Sequence, residues 1–213
     1  MINSTFKWWF IYGAIRTGSS YMADAIGLAA KLKVRDLGVN NLYKIVGSQN
    51  RATAKNDLPF NWDKAFHSIS ENILENGEKG QGSQLDLVYK QAGGKEIADS
   101  YPSLVRMWGL PERIIFCFRD PSSYMSSAIK KFPNEPLERL QSIYVESFVT
   151  YNLIGGDRFE YNSNLSAADY VNFLDPLIIK DQVAPFAYKG ANSKNFTPEM
   201  KATFDTFRQK NKA

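Results

Sequence analysis

The sequence predicts a three-layer α/β/α sandwich around a mostly parallel central sheet. Three observations carry that expectation. Short apolar runs at residues 6–12, 85–90 and 113–118 have the length and bounding turns of buried strands. Longer segments with helical spacing of apolar residues follow each of them, and strands alternating with helices imply a parallel sheet with right-handed crossovers. A hydroxyl-rich loop bounded by Gly13 and Gly18 joins the first strand to the first helix. With no internal repeat and no long linker, the 213 residues read as one domain, 1–213.

The first strand is Phe6-Lys7-Trp8-Trp9-Phe10-Ile11-Tyr12, and its aromatic residues are assigned to the core. A helix over about 19–33 follows, with Ala23, Ile26, Gly27 and Ala30 giving it a small-residue face suited to close packing on a sheet. Residues 36–63 are mixed, with turns at Gly47, Asn50, Asn56 and Pro59. A helix runs from about Trp62 to Glu75, closed by Asn76-Gly77, and the polar, glycine-rich stretch 77–83 is an exposed loop. The next strand is Leu85–Lys90, followed after Gly93-Gly94 by a helix near 95–108. Arg113–Phe118 is the third strand. At its end Asp120 and Pro121 form a helix start, with a polar cap and proline in the first turn. Helices at about 122–131 and 136–154, a short strand at Arg158–Tyr161 and a helix at about 166–174 complete the middle of the chain. The last helix opens at Thr197-Pro198-Glu199, where threonine caps and proline starts it.

Composition excludes several classes. Hydrophobic residues make up 44% and charged residues 23%, the balance of an ordinary globular chain. A net charge of +4 with scattered Lys and Arg suits an anionic ligand but lacks the footprint of a nucleic-acid binder. The single cysteine, Cys117, lies inside an apolar strand and reads as a small core residue; with one histidine it makes a structural zinc site untenable. No apolar run reaches membrane-spanning length and the N-terminus lacks the pattern of a secretory leader, so a cytoplasmic location is expected.

Two segments carry chemistry. In Gly13-Ala14-Ile15-Arg16-Thr17-Gly18-Ser19-Ser20 the glycines permit tight turning and close approach to an anion. Thr17, Ser19 and Ser20 add hydroxyls, and Arg16 adds a fixed positive charge at a helix start. A nucleotide-triphosphate loop carries lysine where this chain has Ser19, which argues against ATP. The second segment is Arg119-Asp120-Pro121-Ser122-Ser123, with Ser127 eight residues after the arginine. Arg119 ends a strand, and ligands of open α/β sheets bind outside the carboxyl ends of strands, so both segments can face one crevice. Plain capped turns are the alternative for each.

Arg16-Thr17-Gly18-Ser19-Ser20 resembles the sulfotransferase loop that grips the 5′-phosphosulfate of 3′-phosphoadenosine 5′-phosphosulfate (PAPS). Phe118-Arg119-Asp120-Pro121 with Ser127 resembles the 3′-phosphate motif of the same family, at a similar separation. The resemblance implies a P-loop NTPase-like version of the sandwich, PAPS as cosubstrate with adenosine 3′,5′-bisphosphate as product, no metal, and a small-molecule or glycan acceptor. It assigns Lys90 to the oxygen between sulfur and the leaving phosphate, where a cation stabilises the charge that develops. Lys189 and Gly190, in Tyr188-Lys189-Gly190, resemble the segment that closes over the nucleotide, although Tyr188 stands where the family carries arginine.

The general base is open. Ala92 replaces the histidine that cytosolic members carry two residues after the lysine. Asp36 has the spacing of a carboxylate used by other members, and His67 has suitable chemistry without a matching motif, with Glu71 one turn beyond it. Tyr161 resembles a nucleotide-contacting tyrosine or is core. Residues 36–84 and 131–160 are expected to build the acceptor pocket. A degenerate P-loop kinase or hydrolase and a non-catalytic nucleotide-binding protein are the rivals.

Overall fold

The computed structural model describes residues 8–26, 43–46, 61–76, 87–162, 164–174 and 192–209. Its centre is a five-stranded sheet in which every pairing is parallel. The strands are β1 (Trp8–Gly13), β2 (Tyr43–Val46), β3 (Leu87–Ala92), β4 (Arg113–Phe118) and β5 (Asp157–Glu160), in the spatial order β2-β3-β1-β4-β5. Chain direction therefore reverses its lateral growth at β1, which places a topological switch at the carboxyl end of that strand. With helices on both faces this is the expected α/β sandwich, in a P-loop NTPase-like strand order.

The register explains which side chains share a face. Trp8, Phe10, Tyr12, Leu87, Tyr89, Phe116 and Phe118 alternate onto one face. That face is covered by α2 (Trp62–Asn76), α3 (Lys95–Trp108), α4 (Pro121–Lys131), α5 (Leu137–Ile154) and α7 (Pro198–Gln209). Its core is dominated by aromatic rings: Trp8 meets Trp108 edge-on with centroids 5.5 Å apart, and Phe66 meets Tyr89 and Trp108 at 5.7 and 5.6 Å. Such pairs add about 0.5–1.5 kcal/mol each beyond the area they bury.

The opposite face carries Ile11, Val88, Ile115 and Cys117. It packs against Met22, Ala23, Ala25 and Ile26 of α1, the helix beginning at residue 19, and against Tyr170 of α6 (Ala167–Leu174). Cys117 is fully buried and burial raises its thiol pKa, so it is core as its sequence context implies.

Three boundaries differ from the sequence expectation. β1, described from Trp8, ends at Gly13, one residue past the expected end at Tyr12. Tyr43–Val46 is a strand inside a stretch read as mixed. β3 runs to Ala92, so Lys90 lies within the strand, paired with Ile11, and not at its end. The cause is the ladder with β1, which continues as Gly93 N–H donates to Gly13 O at 3.0 Å and holds polar Gln91 in register. Among the described residues, no helix is long and apolar enough to cross a membrane.

Candidate functional site

The loop after β1 turns sharply through three residues with positive φ. Gly13 has φ +153°, Arg16 +64° and Gly18 +87°. A Cβ on Gly13 would sit 2.1 Å from the Cys117 carbonyl oxygen, and one on Gly18 would sit 2.6 Å from the Tyr161 ring, so both glycines are required by close approach. Arg16 pays backbone strain that its surroundings hold in place. Thr17 points inward, 1% exposed, and its hydroxyl donates to Ala14 O at 2.7 Å. That bond ties the Thr17 side chain back onto the loop. Met22 N–H donates to Gly18 O at 3.0 Å as α1 begins, and the first amides of α1 face the crevice end of the sheet.

Arg119 follows Phe118 on the same face as Cys117 and is 5% exposed. Its Nη1 donates to the backbone carbonyl of Arg16 at 3.0 Å, and its guanidinium lies 5.3 Å from the centroid of the Tyr161 ring. Its own carbonyl accepts from the Tyr144 hydroxyl of α5 at 2.8 Å. Asp120 caps α4 by accepting from Ser123 N–H at 2.8 Å, with Pro121 in the first turn, as its sequence context implies. Ser127, two turns into α4, accepts from Arg16 Nε at 3.1 Å. The two sequence motifs thus meet in space.

Lys90 reaches the same place from β3. It is 9% exposed, and its Nζ donates to Ser20 Oγ at 3.2 Å at the start of α1. Arg16, Lys90 and Arg119 therefore gather three cations around a helix N-terminus, an arrangement that attracts and orients anionic oxygens. Ser19 is buried and Ser20 exposed beside Lys90.

The other sequence candidates fare differently. Asp36, Lys189 and Gly190 lie outside the described residues. His67 sits on the exposed side of α2, with Nδ1 3.4 Å from Glu71, one turn on. Its partner is thus the solvated carboxylate and not the loop. Tyr161 is 5% exposed, packed under Gly18 and stacked on Tyr21 at 5.7 Å. The stretch 192–197 docks against α4 and α5: Ser122 Oγ donates to Ser193 O at 3.0 Å, and Gln141 Nε2 to Asn195 O at 3.0 Å. Sequence reasoning missed Tyr21, Tyr144 and Gln91 at this end of the sheet, because isolated polar and aromatic side chains inside apolar patterns carry no spacing signal.

No family model matches the chain, and no curated protein matches it. Among solved structures it is similar to a protein designated APE1195, at 11% identity and a TM-score of 0.35, over 96% of this chain and 94% of that one. It is also similar to a provisionally assigned kinase from Chloroflexus aurantiacus, at 14% identity and a TM-score of 0.35, over 66% of this chain and 75% of that one.

Proposed function

We propose that the protein transfers a sulfuryl group from PAPS to a hydroxyl or amine of a small acceptor. The observation that carries this is the joining of the two motifs, Arg119 to the Arg16 carbonyl and Arg16 to Ser127, with Lys90 at the helix start between them. A triphosphate site needs a loop lysine, which Ser19 replaces; a bisphosphorylated nucleotide carries charge at two positions, and Arg16, Lys90 and Arg119 supply three cations at this end of the sheet.

In this assignment Arg16 and the amides of Thr17 to Ser20 bind the 5′-phosphosulfate, while Arg119 and Ser127 bind the 3′-phosphate. PAPS supplies the electrophilic sulfuryl group and its phosphate leaves. Lys90, held by Ser20, neutralises the charge growing on the leaving oxygen, so it acts on the transition state more than on the bound ground state. Asp36 takes the acceptor proton. His67 is the poorer candidate because it faces solvent beside Glu71. Lys189 and Gly190 close over the nucleotide, an expectation favoured by the docking of Ser193 on Ser122, three residues past Arg119.

Calorimetric titration with adenosine 3′,5′-bisphosphate, against AMP and ATP–magnesium, tests this. The 3′-phosphate is expected to strengthen binding by about 10- to 100-fold through charge-assisted hydrogen bonds. Arg119→Ala should remove that advantage. No preference over AMP overturns the proposal, and tighter magnesium-dependent ATP binding replaces it with a kinase-like function.

A further inference from the structure

β4 ends at Phe118 and α4 begins at Pro121, and the turn between them carries Arg119. The backbone carbonyls of this turn go three ways. Phe118 O accepts from Tyr161 N–H at 2.7 Å, which continues the ladder between β4 and β5. Asp120 O accepts from Tyr124 N–H at 3.0 Å as α4 begins. The Arg119 carbonyl lies past the strand and before the helix. The N–H four residues on, that of Ser123, is taken by the Asp120 carboxylate. A buried carbonyl in that position must find a donor outside the regular elements, and the Tyr144 hydroxyl reaches across from α5 and donates to it at 2.8 Å.

Tyr144 is itself firmly held. It is fully buried, and its ring packs on Tyr124 and Phe148 with centroids 4.8 and 5.1 Å away. Burial raises its phenol pKa, so the hydroxyl keeps its proton and stays a donor. The side chain of Arg119 is thus carried on a backbone that α5 pins. Its Nη1 donates to the Arg16 carbonyl at 3.0 Å, and its guanidinium lies 5.3 Å from the Tyr161 ring centroid. Both contacts depend on where the turn sits.

We propose that Tyr144 is a positioning residue: its hydroxyl sets the backbone at Arg119 and so places the guanidinium that braces the Arg16 loop. That this guanidinium then meets a 3′-phosphate rests on the function proposed above; its placement by Tyr144 does not.

Tyr124 supplies a matched control. It is equally buried, and its hydroxyl also donates to a backbone carbonyl at 2.8 Å, but the acceptor is Leu140 of α5. Tyr144→Phe and Tyr124→Phe each delete one buried phenol–carbonyl bond and keep the ring that fills the core. Both should therefore fold and lower the urea midpoint, and a purely structural role for Tyr144 predicts nothing more.

The full chain is labelled with ¹⁵N-arginine, and the Arg119 Nε–H resonance is assigned by its loss in Arg119→Ala. That nitrogen is buried, which slows exchange of its proton with water and keeps the signal visible. The resonance should shift in Tyr144→Phe and stay in place in Tyr124→Phe. Calorimetric titration of the same proteins with adenosine 3′,5′-bisphosphate should show binding about three- to tenfold weaker in Tyr144→Phe and changed less than about twofold in Tyr124→Phe. Adding Tyr144→Phe to Arg119→Ala should cost nothing further, because the residue acts through Arg119. An Arg119 resonance that Tyr144→Phe leaves in place, or that Tyr124→Phe moves as far, overturns the inference. So does bisphosphate binding that Tyr144→Phe leaves unchanged, or weakens equally with and without Arg119. A resonance that shifts as expected in a chain with no preference for the bisphosphate over AMP keeps Tyr144 as the positioning residue and removes the sulfotransferase assignment.

Discussion

The guanidinium of Arg119 donates from Nη1 to the backbone carbonyl of Arg16 across 3.0 Å, so the second phosphate-type motif holds the backbone of the first. That carbonyl belongs to the non-glycine residue with left-handed φ in the loop. Strain at Arg16 is therefore maintained by a contact made about a hundred residues away, and the side chain of Arg119 shapes the loop that carries Arg16.

Arg119→Lys follows from this directly. Lysine keeps the charge but not the fork that serves both a carbonyl and an anion. Bisphosphate affinity should fall about tenfold or more, and affinity for AMP should fall with it, because the loop loses its support. Calorimetry on both nucleotides checks this; an unchanged AMP affinity would show that Arg119 acts on the 3′ position alone.

Lys90→Ala separates binding from chemistry. If Lys90 meets charge that develops on the leaving oxygen, sulfuryl transfer should drop by about 10²–10³ in kcat, while bisphosphate affinity changes only a few-fold. A matched loss in both quantities would make Lys90 a ground-state ligand. Its bond to Ser20 at 3.2 Å makes Ser20→Ala the milder companion, expected to weaken the same step by about tenfold or less.

Gly18→Ala should destabilise the fold by about 2–4 kcal/mol, combining left-handed backbone strain with collision against the Tyr161 ring. A urea-denaturation cycle with Tyr161→Ala gives the test. The cost of Gly18→Ala should shrink in the Tyr161→Ala background, because one of its two causes is gone.

Glu146 gives stability a pH dependence. Hydrogen bonds from Ser142 and from the Lys95 amide, with Arg139 nearby, hold its carboxyl below the ordinary carboxylate value. A lowered carboxylate pKa contributes stability that is full above the ordinary range and lost as pH falls through the lowered value. Glu146→Gln should therefore cost about 1 kcal/mol at neutral pH, after allowance for partial exposure, and progressively less below about pH 4. Chemical denaturation at pH 7 and pH 3 reads the difference. An equal loss at both values would assign the effect to packing.

Much of this architecture is legible before any coordinates. Apolar runs locate β1, β3 and β4 because buried parallel strands must be apolar on both faces. Asp120-Pro121 marks the start of α4 because capping chemistry is local. Strand ends are less legible: Gln91 and Ala92 carry no strand signal, and it is the neighbouring ladder that extends β3 past Lys90. Tyr43–Val46 is hidden for a related reason, since four residues give too short a pattern to stand against flanking turn residues. Within the site, the spacing of Arg16, Arg119 and Ser127 predicts their convergence. The inward turn of Thr17 and the hold of Tyr144 on the Arg119 carbonyl depend on tertiary contacts that no local window contains.

The parallel sheet also sets when this protein can begin to work. The loop at residues 14–20 is made early in synthesis. Its partners emerge in sequence: Lys90 on β3, Arg119 and Ser127 around β4, and Tyr161 just past β5. Parallel pairings bring together segments far apart in the chain, which slows folding and delays the reward for closing each crossover. A nascent chain released before Tyr161 has left the ribosome has its anion loop and lacks the ring that Gly18 packs against. The loop is therefore closed by its partners only after β3, β4 and the segment past β5 have all been made.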